Sequence, residues 1–178
     1  MGPGEGPAPK AAKGLEQRGA DAMTTTSEEE IKAVHGVLTD PRPLDFQALG
    51  LAGCIDRLAT PLRGQGTRLH WETPHHGVEI DARSASLLYR AAQETLSNTY
   101  KYAHATDVTI RLDAVYHGIR LVISDNGSGF DCKKAVRGRR HGFGLRLMCA
   151  AVTVAGGSSI VDSNPGAGTR VTITLPLD

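Results

Sequence analysis

The chain has 178 residues, a formal net charge of +1 and a hydrophobic fraction of 40%. That suffices for one domain with a buried core, and the balanced charge gives no global attraction to nucleic acid or to a membrane surface. Aromatic residues are only 4% of the total, too few for a platform that stacks single-stranded bases.

The three cysteines, Cys54, Cys132 and Cys149, are scattered without metal-ligand spacing, as expected of reduced thiols. No apolar run reaches the roughly 18 residues of a membrane span, and no apolar stretch follows Met1, so a soluble cytoplasmic segment is expected. Residues 1–27 are rich in Gly, Pro, Ala and Thr and lack apolar periodicity, which predicts a disordered leader. Ser27 and Glu30 have capping-box spacing, and Ile31, Val34 and Leu38 continue one helical face up to the prolines at 41 and 43. Leu49-Gly50-Leu51 leads into a second helix, AGCIDRLATPL, ended by RGQG, and TRLHWET alternates as a strand.

The longest helical pattern opens at Ser84 and runs through SASLLYRAAQETLSNTYKYAHA. Leu87, Leu88, Ala91, Ala92, Thr95, Leu96 and Thr99 form its core face. Two alternating runs, DVTIRLDAV and GIRLVISD, then make an antiparallel hairpin around Tyr116-His117-Gly118. GLRLMCAAVTVA reads as a helix stopped by Gly156-Gly157, and SSIVDS and TRVTITLPL close the chain as a strand pair. This mixture predicts an α/β (α+β) two-layer sandwich, with helices covering one face of a mixed, mainly antiparallel sheet.

Three groups of residues suggest chemistry. At the end of an apolar strand lies DNGSG. Its Asp125 could accept a hydrogen bond from an exocyclic amine such as that of adenine, and Gly127 and Gly129 let backbone pass close to a flat ring. The same pattern also describes a plain Asp-Asn-Gly turn. In HGFG, Gly142 and Gly144 precede a helix whose free N–H groups would suit an anion, and between the two turns lie Lys133, Lys134, Arg137, Arg139 and Arg140. Glu94, Asn98 and Lys101, spaced i, i+4, i+7, fall on one helical stripe that could hold Mg²⁺ and phosphate or simply face solvent.

As a set, these segments resemble the catalytic, ATP-binding domain of sensor histidine kinases. QETLSNTYKYAHA resembles the N box, DNGSGFD the G1 box, HGFGLRLM the G2 box and GAGTRVTITLPL the closing strand pair. The resemblance runs from about Ile31 to Asp178, and VLTDPRPLDFQALGLAGCIDRL is similar to the connecting stretch of the nitrate-sensor-like branch. It implies a Bergerat-type ATP-binding fold, a remnant of the dimerisation and linker helices at residues 28–63, and an ATP-binding domain at 64–178. It also implies roles. Asn98 would coordinate Mg²⁺, Lys101 would contact phosphate, and Glu94 would act on metal or water. Tyr102 stands where many members of the branch carry His. Asp125 would read the adenine amine beside Gly127, Gly129 and Phe130. Gly142, Phe143, Gly144 and Leu145 would meet the phosphates, and Thr169 would support Asp125 through water. Residues 130–141 would be a short mobile lid.

The implied partners are a histidine-bearing dimerisation domain and, indirectly, a response regulator, with no nucleic acid or membrane contact by this segment. None of the seven histidines sits in an acidic, arginine-rich acceptor box. His35 falls in the dimerisation-like stretch, and His75-His76 lies in a polar loop without further ligands at matching spacing. An anti-sigma-type serine kinase and a non-catalytic nucleotide-binding module are the alternatives at this point.

Overall fold

The structure is a computed structural model, and it describes residues 46–73, 80–137 and 142–177. These all fall within the compact unit Ala33–Asp178. The expected leader, the helix opening at Ser27, His35 and the His75-His76 pair lie outside the described residues. The elements in chain order are α1 (Phe46–Leu58), α2 (Thr60–Gly64), β1 (Arg68–Trp71), α3 (Ala82–Asn98), a π-turn (Thr99–Ala103), β2 (Asp107–Val115), β3 (Gly118–Asp125), α4 (Cys132–Arg137), α5 (Phe143–Val154), β4 (Ser158–Ser163) and β5 (Thr169–Pro176).

The strands form one sheet in the order β1-β2-β3-β5-β4. Only β1 and β2 pair in parallel; the other neighbours are antiparallel. Alternation along each strand sends Val108, Ile110 and Leu112, Ile119, Leu121 and Ile123, and Val171, Ile173 and Leu175 into one core. The helices fill it with Leu51 and Ile55 of α1, Leu62 of α2 and Ala59 between them, Leu87, Leu88, Ala91, Ala92 and Leu96 of α3, and Met148, Ala151 and Val152 of α5. Helix α3 packs against both α1 and α5. The expected two-layer architecture is therefore present. No described helix is long and apolar enough to cross a membrane.

Local differences from the sequence expectation have identifiable causes. The helix read from AGCIDRLATPL is two helices: Pro61 lies in the first turn of α2, where its missing N–H costs nothing, and Ala59 makes the break. A kink at Gly50 (φ 65°) also interrupts α1 near its start. Helix α3 starts before Ser84, because Asp81 caps it by accepting from the N–H groups of Arg83 and Ser84, both at 2.9 Å. The helix changes character after Asn98: Thr99–Ala103 form a π-turn, ended by His104 in a left-handed conformation (φ 51°). The segment expected as an open basic cover contains α4, whose N–H groups at Lys133 and Lys134 donate to Asp131 Oδ1.

Candidate functional site

Asp125 is the last residue of β3, and the sheet register pairs it with Thr169 on β5 and Val108 on β2. It therefore shares the helix-facing side of the sheet with the core residues, at the end of the central strand. Three donors hold its carboxylate. Oδ1 accepts from the N–H of Gly127 at 2.9 Å and of Thr169 at 3.3 Å, and Oδ2 accepts from the Thr99 hydroxyl at 3.0 Å. Three donors leave spare lone-pair capacity, since a carboxylate has about four acceptor sites. The result is an oriented acceptor that is only half-buried.

The glycines around it are sterically required. A Cβ on Gly127 would overlap the carbonyl and Cβ of Ala103 in the π-turn. Gly129 has φ 60°, and a Cβ there would strike the carbonyls of Asn164 and Gly168 in the β4–β5 turn. The DNGSG loop is thus clamped between the π-turn and that turn. Ser128 N–H donates to Ala103 O at 2.7 Å, and Gly166 N–H donates to Ser128 O at 2.6 Å. The π-turn belongs to this clamp: a widened helical turn brings Ala103 and Thr99 to the loop and to Asp125.

The second half of the site is the facing pair of α3 and α5. Glu94 and Asn98 lie one turn apart, both half-buried, and the Asn98 amide donates to Glu94 Oε1 at 3.0 Å. Gly144, in the first turn of α5, has no room for a Cβ because the Glu94 carboxylate occupies that place. The N-terminus of α5, capped by Gly142 at φ 84°, thus abuts a carboxylate, the charge that end of a helix favours. Leu145 packs against the core, while Phe143 is exposed.

The structure therefore gathers the expected residues into two groups. Asp125, Gly127 and Thr169 meet directly; Gly129 abuts the β4–β5 turn at Asn164 and Gly168, and Phe130 joins through Ser163. Glu94, Asn98 and Gly144 meet separately. Lys101 and Tyr102 are exposed on the π-turn, where the wider i→i+5 turn takes Lys101 off the α-helical stripe of Glu94 and Asn98. Thr169 supports Asp125 by its own N–H, and its hydroxyl instead faces Ser163 Oγ at 2.9 Å. Lys133 and Lys134 are exposed on α4, while Arg139, Arg140 and His141 lie outside the described residues.

Two contributors were not singled out from sequence. Thr99 looked like one more core residue, yet its hydroxyl reaches Asp125. Ser163, buried at the end of β4, accepts from Phe130 N–H at 2.9 Å and donates to Gly168 O at 3.0 Å. Nothing in the sequence distinguishes this serine from its neighbours; only the strand register does.

A side network borders the site. Asp107, at the start of β2, receives Arg68 in a bidentate pair (2.8 and 2.9 Å), His70 at 2.9 Å and the Thr106 hydroxyl at 2.8 Å. The Arg68 guanidinium first, then His70 and Thr106, hold its carboxyl far below the usual carboxylate range. On the helix side, Asp56 is held low chiefly by Arg63, and also receives Trp71 Nε1 at 2.8 Å, tying α1 to β1.

Residues 83–178 match the family model described as histidine kinase-, DNA gyrase B- and HSP90-like ATPase. The signal transduction histidine-protein kinase/phosphatase DegS of Bacillus subtilis is 32% identical over 142 residues, 76% of this chain and 36% of that protein. The chain thus spans about a third of the length of that relative. The mycobacterial sensor histidine kinase MprB superposes with a TM-score of 0.54 at 26% identity, covering 71% of this chain and 93% of that one. The Acinetobacter baumannii histidine kinase AdeS gives 0.61 at 16% identity, covering 92% and 82%, a likeness of fold.

Proposed function

This chain belongs to the histidine kinase-, DNA gyrase B- and HSP90-like ATPase family, and we propose that it works as the catalytic, ATP-binding part of a sensor histidine kinase. In this reading it moves the γ-phosphate of Mg-ATP to a histidine on a dimerisation domain, from which a response regulator is served. The observation that carries the reading is the Asp125 carboxylate, fixed by three donors at the open end of β3 beside glycines that cannot carry a Cβ.

Each half of the site has a task. Asp125 accepts the adenine amine, a charge-assisted bond that rejects a base offering no donor there. Gly127, Gly129 and Phe130 form the backbone edge of that pocket, and Thr169 and Thr99 keep the carboxylate aimed. Glu94 and Asn98 supply the oxygen donors that a hard divalent cation prefers. Among the described residues no three His, Cys, Asp or Glu side chains cluster, so such a cation fits here as one shared with the nucleotide's phosphates. When bound, Mg²⁺ neutralises the triphosphate and orients its terminal group. Gly142 to Leu145 present the N-terminal turn of α5 to the phosphates, with Lys101 and Tyr102 at the mouth and residues 130–141 as a short lid. Transfer then depends on holding the terminal phosphate in line with the incoming imidazole.

His70 is paired with Asp107, while His104 and His117 hold left-handed turn positions. We assign the acceptor to a dimerisation domain, as the resemblance to sensor histidine kinases implies, and the branch to the nitrate-sensor-like kinases on the connecting stretch before α2.

The test is transfer from radiolabelled Mg-ATP to a histidine-bearing dimerisation domain, followed by acid and alkali treatment of the product. Acid-labile, alkali-stable phosphate on that domain is expected. Acid-stable phosphate would assign a serine kinase instead, and a folded chain that binds no ATP would be an interaction module.

A further inference from the structure

We propose that Asn126 is a positioning residue for adenine recognition, acting through Asp107 to set the aim of Asp125. The inference rests on the adenine-reading role of Asp125 given above.

Asp125 is held on two sides by Thr99 of the π-turn and Thr169 of β5. On its third side the neighbour is β2, and no β2 side chain donates to the carboxylate among the described hydrogen bonds. The backbone there is fixed instead by the next residue. Asn126 Oδ1 accepts from the N–H groups of Thr106 at 3.0 Å and Asp107 at 2.9 Å. Its Nδ2 donates to Thr106 Oγ1 at 2.8 Å and to Asp107 Oδ2 at 3.3 Å. Its own N–H donates to Asp107 O at 3.2 Å. Both donors and both lone pairs of the carboxamide are used, a degree of satisfaction that a surface Asn does not need for solubility.

The consequence is geometric. Asn126 staples the end of β3 to the start of β2, and the peptide it shares with Asp125 cannot turn while the staple holds. The Cβ of Asp125 leaves that peptide plane at Cα, so fixing the plane keeps its carboxylate on the helix side of the sheet. Asp107 is the fixed end of the staple because Arg68 and His70 on β1 hold it from the other side. The charged groups facing Asn126 are therefore Asp107 directly and Arg68 and His70 behind it.

Asn126→Asp tests this with little change of size. It replaces the donating amide by a second carboxylate against Asp107. Adding Asp107→Asn restores one donor and one charge, with the roles exchanged between the two positions, while leaving Arg68 one acceptor oxygen in place of two. The readout is the ratio of affinities for ATP and for purine riboside triphosphate, which lacks the 6-amine, measured beside the thermal midpoint. A residue that only stabilises the fold changes both affinities together; a residue that aims Asp125 changes their ratio.

Wild type is expected to favour ATP by at least about tenfold, the worth of one hydrogen bond to a charged group. In Asn126→Asp the ratio is expected to fall at least about fivefold, mostly by weaker ATP binding, and to recover in part in the double variant. If Asn126→Asp does not fold, Thr106→Val removes one acceptor of the amide from an exposed position, and a drop of about twofold is expected. Equal affinities in wild type would overturn the adenine reading itself. A wild-type ratio that Asn126→Asp or Thr106→Val leaves unchanged would overturn the positioning role alone, and a fall that Asp107→Asn does not reverse even in part would overturn the link through Asp107.

Discussion

Replacing Asp125 by Asn is expected to separate folding from nucleotide binding. The substitution keeps the shape of the side chain and one oxygen. That oxygen still accepts from Gly127 N–H and Thr169 N–H, which both use Oδ1. The new NH₂ takes the place of Oδ2, 3.0 Å from the Thr99 hydroxyl. Thr99 can adapt, because its proton has a second acceptor in Thr95 O at 3.1 Å, leaving its oxygen to accept from the amide. The fold thus loses charge assistance but no bond, a cost of about 1 kcal/mol, or roughly 2–4 °C in thermal midpoint. The ligand fares differently: an NH₂ now stands where the adenine amine needs an acceptor. Losing a hydrogen bond to a charged group costs about 1.5–3 kcal/mol, which is roughly ten- to 150-fold in Kd. Calorimetric titration with Mg-ATP, beside a thermal melt of both proteins, checks both halves. A folded Asn variant with a Kd within about threefold of wild type would refute the reasoning.

Other substitutions distinguish rigid from yielding contacts. Gly127→Ala places a Cβ against the backbone of Ala103, which cannot swing away, so a stability loss of about 1–3 kcal/mol is expected in urea unfolding. In Gly144→Ala the atoms nearest the new Cβ are those of the Glu94 carboxylate, which can rotate; the melt should change less, while Mg-ATP affinity falls as Glu94 leaves its place beside Asn98. Asp113 is buried on the far sheet face between Arg111 and Arg120, at 3.3 and 2.9 Å. Asp113→Ala leaves two neighbouring guanidinium groups without their shared carboxylate and should lower the unfolding free energy measured in urea by on the order of 1–3 kcal/mol, without altering ATP affinity. The Asp107 carboxyl is depressed below its ordinary value of 3.8 in the fold, so its contribution is complete above that value and is lost as pH falls below it. The stability gap between wild type and Asp107→Asn should therefore be constant above about pH 5 and narrow steadily as pH falls below about 4 in urea titrations; a gap independent of pH would contradict the assignment.

Much of this layout is legible in residue patterns. The period-2 runs at 107–125 and 158–176 place both hairpins, and the 3.6-residue repeat from Leu87 to Leu96 places the buried face of α3. The two glycine turns mark both ends of the candidate site, since a position with no room for Cβ admits little else. The π-turn was not legible, because its cause is tertiary: Thr99 is drawn to Asp125, and Ala103 is pressed by Gly127 and bonded by Ser128. Helix α4 carried a signal in Asp131, a capping residue, but six residues are too few to show an apolar period. The break at Ala59 was marked by Pro61, which fits the first turn of a new helix as well as the end of an old one. The Ser163 hub and the Asn126 staple depend on strands brought together from distant segments, which local patterns do not encode.

The most direct measurement is calorimetric titration of the chain with ATP, with Mg²⁺ and with a chelator in its place. Saturable binding that tightens with Mg²⁺ is expected, with GTP failing to compete because it presents a carbonyl where adenine presents its amine. A folded chain with no saturable ATP binding, or one that binds GTP equally well, would contradict the assignment of Asp125 and with it the reading of this domain as the ATP-handling part of a histidine kinase.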